Sequence, residues 1–159
     1  LPVADAWLKI DVRGGLERIR LEPAGSSGRA PDAAPESGRA AAAWRSLEAC
    51  CEAPCDFDAG PWLAEPCLAR ASSFERAAWR AVSMLPCAEA EACSALAERL
   101  GLAAGMERRL AKAVAACPLP MLIPVHRVPG AFADAPEGLQ GVMRRLLELE
   151  QEKLVRWWF

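Results

Sequence analysis

Between Ser72 and Pro118 the apolar residues recur at helical spacing in three short pieces, each closed by a proline or a glycine. Helices this short are not stable alone, so they must bury their stripes against one another and against the rest of the chain. Ser72-Ser73-Phe74-Glu75 forms a capping box, with Ser72 at the cap and Glu75 at the third helical position. The helix it opens carries Phe74, Ala78, Ala81, Val82 and Leu85 on one stripe and stops at Pro86. The spacing predicts a second helix over 91–100, with Ala92, Leu96 and Leu100 inward and Gly101 as its stop. A third is predicted over 105–116, ended by Cys117-Pro118. Two helices joined by a short turn are either a helix-turn-helix or an ordinary helical corner.

The flanking segments are of mixed type. Trp7, Leu8, Ile10 and Val12 precede the turn dipeptide Gly14-Gly15, and Leu16, Ile19 and Leu21 follow it, which predicts a hairpin over 6–21. Residues 22–39, rich in Pro, Gly, Ser and Ala, read as a flexible loop carrying no site. Helical spacing returns over 40–51, with Trp44, Leu47 and Cys51 on one face, and a connector from Pro54 to Cys67 follows. Met121-Leu122-Ile123 predicts a short strand ending in Pro124-Val125-His126-Arg127-Val128. The last helix turns Leu139, Val142, Met143, Leu146 and Leu147 inward. Trp157-Trp158-Phe159 either cover a core edge or form a contact surface. The expected division is an N-terminal mixed α/β domain over 1–70 and a helical domain over 71–159.

A chain of 159 residues that is 53% hydrophobic supports one good core or two small ones, and is not disordered throughout. Its net charge of −2 exerts no overall pull toward nucleic acid. The charge is uneven, however: from residue 99 to 127, Arg99, Arg108, Arg109, Lys112 and Arg127 face Glu107 alone. The helix pair therefore coincides with the most basic stretch, which suits phosphate contact or a solvated face equally. Tyrosine is absent and His126 is the only histidine, which excludes a multi-histidine metal site and any tyrosine-based mechanism. The seven cysteines are odd in number and include no C-x-x-C pair, so they read as small buried apolar residues in a reducing compartment. Cys50, Cys51 and Cys55 make at most a partial zinc set without a fourth ligand. No apolar run approaches the ~20 residues that span a bilayer, no leader is expected, and the start at Leu1 predicts a trimmed or processed chain.

The order of these features, with Phe74–Leu85 and Pro86, Leu96-Ala97-Glu98-Arg99-Leu100-Gly101, Arg108, Ile123-Pro124-Val125-His126-Arg127-Val128 and Leu146-Leu147-Glu148-Leu149-Glu150, resembles the methylated-DNA–protein-cysteine methyltransferases, the O6-alkylguanine-DNA alkyltransferases. The likeness is strong from Phe74 onward and loose before it. It implies an α/β (α+β) fold: an N-terminal ribonuclease-H-like small sheet with a helix, then a helical domain with a winged helix-turn-helix. It also implies binding of duplex DNA through the minor groove, an arginine filling the place of a flipped guanine, and transfer of the alkyl group to a cysteine without any cofactor. In that chemistry a histidine held by a glutamate deprotonates the thiol through water.

Carried over by position, Arg108 becomes the arginine that fills the stack, His126 the base and Glu150 its orienting carboxylate. Arg109, Lys112 and Arg127 become further DNA contacts. Cys93, Cys117, Pro124 and Val125 would line the lesion pocket. Val125 stands where the family has its acceptor cysteine, and a hydrocarbon side chain can neither lose a proton nor accept an alkyl group. Further departures accompany it: Cys93 replaces a tyrosine, Cys117-Pro118 replaces Asn-Pro, and Met106, Glu107, Arg109, Leu110 and Lys112 replace small residues of the recognition helix. The turn before Arg108 is longer, and the glycine-rich loop is shortened to Asp134–Gly138.

These losses imply a non-catalytic member, similar to the cysteine-less alkyltransferase-like proteins, that recognises alkylguanine in duplex DNA and hands it to another repair protein. Such a chain would be a cytoplasmic monomer without metal or cofactor. The competing readings are a degenerate scaffold acting through protein partners, and an alkyltransferase that is either a Val125 mutant or uses Cys93 or Cys117 as a relocated nucleophile. His126 and Glu150 have plainer roles available as a structural pair or, for Glu150, as a surface acid.

Overall fold

The computed structural model describes residues 6–12, 16–23 and 38–156. The Gly14-Gly15 turn, nearly all of the expected loop, and Trp157-Trp158-Phe159 lie outside the described residues. What is described is a helix-dominated α+β arrangement with a small two-stranded antiparallel sheet.

Strand β1 (Ala6–Val12) pairs with β2 (Leu16–Pro23) in the register Ile10 to Ile19, with an irregularity between Asp11 and Val12. Leu16 and Ile19 are buried, so the hairpin adds to the common core. Two backbone ties fix it: Ile19 N–H donates to the Pro118 carbonyl at 2.8 Å, and Leu16 N–H donates to the buried Glu65 carboxylate at 3.2 Å. Arg39 also donates to Glu65, and its guanidinium lies 4.3 Å from the Trp62 ring centre. The Arg39 guanidinium thus compensates the buried charge of Glu65, while the Trp62 face holds that guanidinium in place.

Helix α1 (Gly38–Glu52) buries Ala43, Leu47 and Cys50. Leu47 faces inward as expected, while Trp44 is half-buried with its indole N–H donating to Glu48 at 2.8 Å; the side chain of Cys51 lies outside the described residues. A short helix α2 (Pro66–Ala69) leads to α3 (Ser73–Ser83). The capping box forms as expected: Ser72 Oγ accepts from Glu75 N–H, and the Glu75 carboxylate accepts from Ser72 N–H at 2.9 Å. Ala78, Trp79, Ala81 and Val82 are its buried residues, while Phe74 is half-buried. The Trp79 indole N–H donates to the Ala113 carbonyl at 2.7 Å, a buried tie between α3 and the later helix.

Helices α4 (Cys93–Arg99) and α5 (Glu107–Ala115) are each shorter than the spacing predicts. Helix α4 ends where Gly101 takes φ 64, with Leu102 N–H reaching back to Ala97 and Gly101 N–H to Glu98. That left-handed turn is the C-terminal motif for which glycine is suited. Leu96, Leu110 and Val114 are fully buried, each contributing on the order of 1.5–3 kcal/mol by leaving water. Residues 121–123 form no strand, a second correction: one parallel bridge joins Pro120 to Ile123, and Met121 has φ 76. Tight turns follow at Val125–Arg127 and Pro129–Asp134 before α6 (Glu137–Arg156) closes the core with Leu139, Val142, Met143 and Leu146. Among the described residues no helix is long and apolar enough to cross a membrane.

Candidate functional site

The chemistry-bearing residues of the Pro124–Val128 segment are gathered by a buried turn. Every residue from Met121 to Val128 is buried, so the polar groups there must find partners inside the protein. The partner comes from α6. Its inward stripe runs through Met143 and Leu146, and one further turn places Glu150 on the same face, 1% exposed.

Four groups converge on the Glu150 carboxylate. His126 Nε2 lies 2.8 Å from Oε1. Arg127 donates through Nε to Oε2 at 3.0 Å and through Nη2 to Oε1 at 2.8 Å. Ala88 N–H donates to Oε2 at 2.8 Å. The remaining arm of Arg127, Nη1, donates to the Leu85 carbonyl at 2.6 Å. Burial pushes the Glu150 carboxyl up, but the hydrogen bonds from His126 and Arg127, with the Ala88 amide, outweigh it and hold the group down at about 2. The carboxylate is therefore ionised at neutral pH. His126 Nδ1 is buried with no hydrogen-bond partner among the described residues, so the ring is held through Nε2 and Glu150 alone. Ala88 pays for its place with φ 62, a left-handed conformation that an L side chain rarely adopts.

Val125 sits at the first position of this turn, 1% exposed and next in sequence to His126. Pro124 caps the turn and is buried with it. Cys93 begins α4 and is half-buried, so close to Gly130 that a Cβ added there would lie 2.8 Å from its sulfur. Cys117 lies elsewhere: it lines a cavity of about 420 Å³ between β2, the end of α5 and the start of α6, with Ile19, Met121 and Leu139. Both thiols are held protonated. Burial, then the charge of Asp134, raises Cys93, and burial pushes Cys117 up to about 12. Neither has the lowered pKa of an activated nucleophile.

The cations separate into three environments. Arg108 and Lys112 are exposed one turn apart on α5, without an ion-pair partner among the described residues. Arg109 is exposed too, and its guanidinium lies 4.6 Å from the Phe74 ring centre. Arg99 is held by Glu91 at 2.8 Å, and Arg127 is buried in the Glu150 network. The charge run of the sequence therefore becomes a small exposed face on α5 rather than one continuous patch.

Reasoning from sequence did not reach the Leu85 carbonyl or the Ala88 amide, since backbone groups leave no signal in residue type. It also missed a covalent link. Cys55 and Cys87 form a disulfide, with Cα atoms 5.0 Å apart. This corrects the reading of all seven cysteines as free apolar fillers, and it removes Cys55 from the partial zinc set. Among the described residues no cluster of three His, Cys, Asp or Glu side chains is placed to hold a metal.

Residues 73–153, just over half of the chain, match the family model described as 6-O-methylguanine DNA methyltransferase, DNA binding domain. No curated protein sequence matches the chain.

Proposed function

Since the chain belongs to the 6-O-methylguanine DNA methyltransferase family through its DNA-binding domain, we propose that it is a non-catalytic member that binds duplex DNA and recognises alkylated guanine. The observation that carries this reading is Val125, buried beside an intact His126–Glu150–Arg127 network. The supporting frame of the family's acceptor position is retained, while the residue at that position has no sulfur. A valine there offers an alkyl group an apolar contact and no bond. The raised Cys93 and Cys117 thiols argue against a relocated nucleophile.

In this reading α4 and α5 form the helix-turn-helix, with a wing beyond them and a ribonuclease-H-like unit at the N-terminal side. Arg108 takes the place of the flipped guanine, and Arg109 and Lys112 approach phosphates. Arg127, buried on Glu150, acts by holding the site rather than by touching DNA. The chain works as a cytoplasmic monomer that leaves the lesion for another repair protein. One observation favours the alternative of a scaffold acting through protein partners: Glu107 opens α5 directly beside Arg108, and an acid near phosphates is unfavourable.

Two measurements test the proposal. Binding to a duplex with a single O6-methylguanine should exceed binding to the unmodified duplex and weaken with salt; equal or absent binding to both removes the lesion-recognition claim. Incubation with O6-benzylguanine should leave the intact mass unchanged, and an added benzyl group would reinstate transfer.

A further inference from the structure

The segment between α3 and α4 is tied to the buried network at three points. Leu85 accepts from Arg127 at 2.6 Å, Ala88 N–H donates to Glu150 at 2.8 Å, and Glu91 N–H donates to the Arg127 carbonyl at 2.9 Å. A fourth tie is the Cys55–Cys87 disulfide, which spans 32 residues and fastens this segment to the turn after α1. Cys55 is exposed and Cys87 half-buried, whereas Cys50, Cys67 and Cys117 are buried. The bonded pair is thus open to small thiols in solution. It is also adjacent in sequence to Ala88, the one residue of the network held in a left-handed conformation.

We propose that Cys55–Cys87 is a reversible thiol–disulfide exchange site for low-molecular-weight thiols of the glutathione class, and that its state sets how firmly the Ala88 amide holds Glu150. Exchange of this kind requires only that a thiolate reach one sulfur of the pair and that the other leave as a thiolate. In the forward direction a glutathione thiolate attacks the sulfur of Cys55, an exposed residue, the protein S–S bond breaks, and Cys87 leaves as a thiolate that takes up a proton. A second glutathione thiolate attacks its predecessor's sulfur in the mixed disulfide and releases Cys55 as a thiol. Two thiols are oxidised to glutathione disulfide while one protein disulfide is reduced, and glutathione disulfide drives the reverse. Once Cys87 is free, the Pro86–Ala90 turn loses its covalent anchor, and Ala88 relaxes from φ 62 and withdraws its amide from the carboxylate.

The test compares the whole chain in glutathione buffers of high and low disulfide ratio. Alkylation followed by peptide mass analysis should find Cys55 and Cys87 protected in the oxidised buffer and modified in the reduced one. Amide hydrogen exchange at Ala88 and Glu91 should quicken at least tenfold on reduction, and Cys55→Ser should show the faster rates in both buffers. Should that variant fail to fold, the wild-type comparison decides alone. Alkylation of both cysteines in the oxidised buffer, or unchanged exchange after reduction, overturns the proposal. None of these readouts involves DNA, so the outcome is separate from that of the lesion-binding reading.

Discussion

Arg127 and Glu150 meet inside the protein as a two-armed ion pair, with contacts of 2.8 and 3.0 Å between side chains that are 7% and 1% exposed. A buried pair of this kind is no guarantee of net stability, because desolvating both ions offsets most of their attraction. Removing one partner is a different matter, since it strands the other charge. Glu150→Gln keeps the shape and loses the charge, and is expected to cost about 3–5 kcal/mol. Arg127→Met should cost a comparable amount, and the double variant less than the two single costs added together. Urea denaturation of the four proteins checks this; additive costs would mean that the two residues act independently.

The same carboxylate makes the fold sensitive to acid. Its pKa is about 2 when folded, against an ordinary value of 4.5. A depressed carboxylate stabilises the folded state above its unfolded pKa, and the contribution disappears as pH falls through the folded value. The gap corresponds to about 3 kcal/mol at neutral pH, lost between roughly pH 4.5 and pH 2. Thermal melts across that window should fall steeply for the wild type and more gently for Glu150→Gln. Parallel curves would show that another carboxylate governs acid unfolding. Glu75, lowered by its hydrogen bonds with Ser72, acts with the same sign, and Ser72→Ala controls for it.

How much of this was legible in the sequence depended on how local each cause was. The capping box at Ser72 and Glu75 and the Gly101 stop involve groups a few residues apart, and both formed as the sequence indicated. The stripe on α6 was also readable, with Leu139, Val142, Met143 and Leu146 buried as expected and Leu147 half-buried. Met121–Ile123 misled because an apolar run becomes a strand only where a neighbouring strand accepts its hydrogen bonds. Arg127 was grouped with surface cations by residue type, but its burial is decided by Glu150, 23 residues away, and Leu85, 42 away. The Cys55–Cys87 pairing is likewise a long-range fact, and no spacing rule singles it out among seven cysteines.

The separation of the cations predicts two classes of variant. Arg108→Ala and Lys112→Ala, both on exposed side chains, should leave the urea midpoint unchanged and weaken duplex binding. Removing a single phosphate-binding cation should reduce the salt slope by about one. Arg127→Lys should do the reverse, lowering the midpoint because an ammonium cannot reproduce the two-armed contact, while leaving the salt slope as it was. A salt slope altered by Arg127→Lys alone would return that residue to the DNA-contacting face.

Gly130 and Cys93 bring the turn after His126 against the start of α4 at a distance that only glycine permits. A Cβ on residue 130 would lie 2.8 Å from the Cys93 sulfur and 3.6 Å from its Cβ. Gly130→Ala therefore forces either the thiol or the turn to move, and overpacking of this kind typically costs about 1–3 kcal/mol. Cys93→Ala removes the sulfur and leaves the Cβ contact at an ordinary distance, so the double variant should recover most of the loss. Chemical denaturation of both singles and the double measures the recovery. A double variant no more stable than Gly130→Ala would mean that the turn is set by its own backbone, and that α4 is not held against it by this contact.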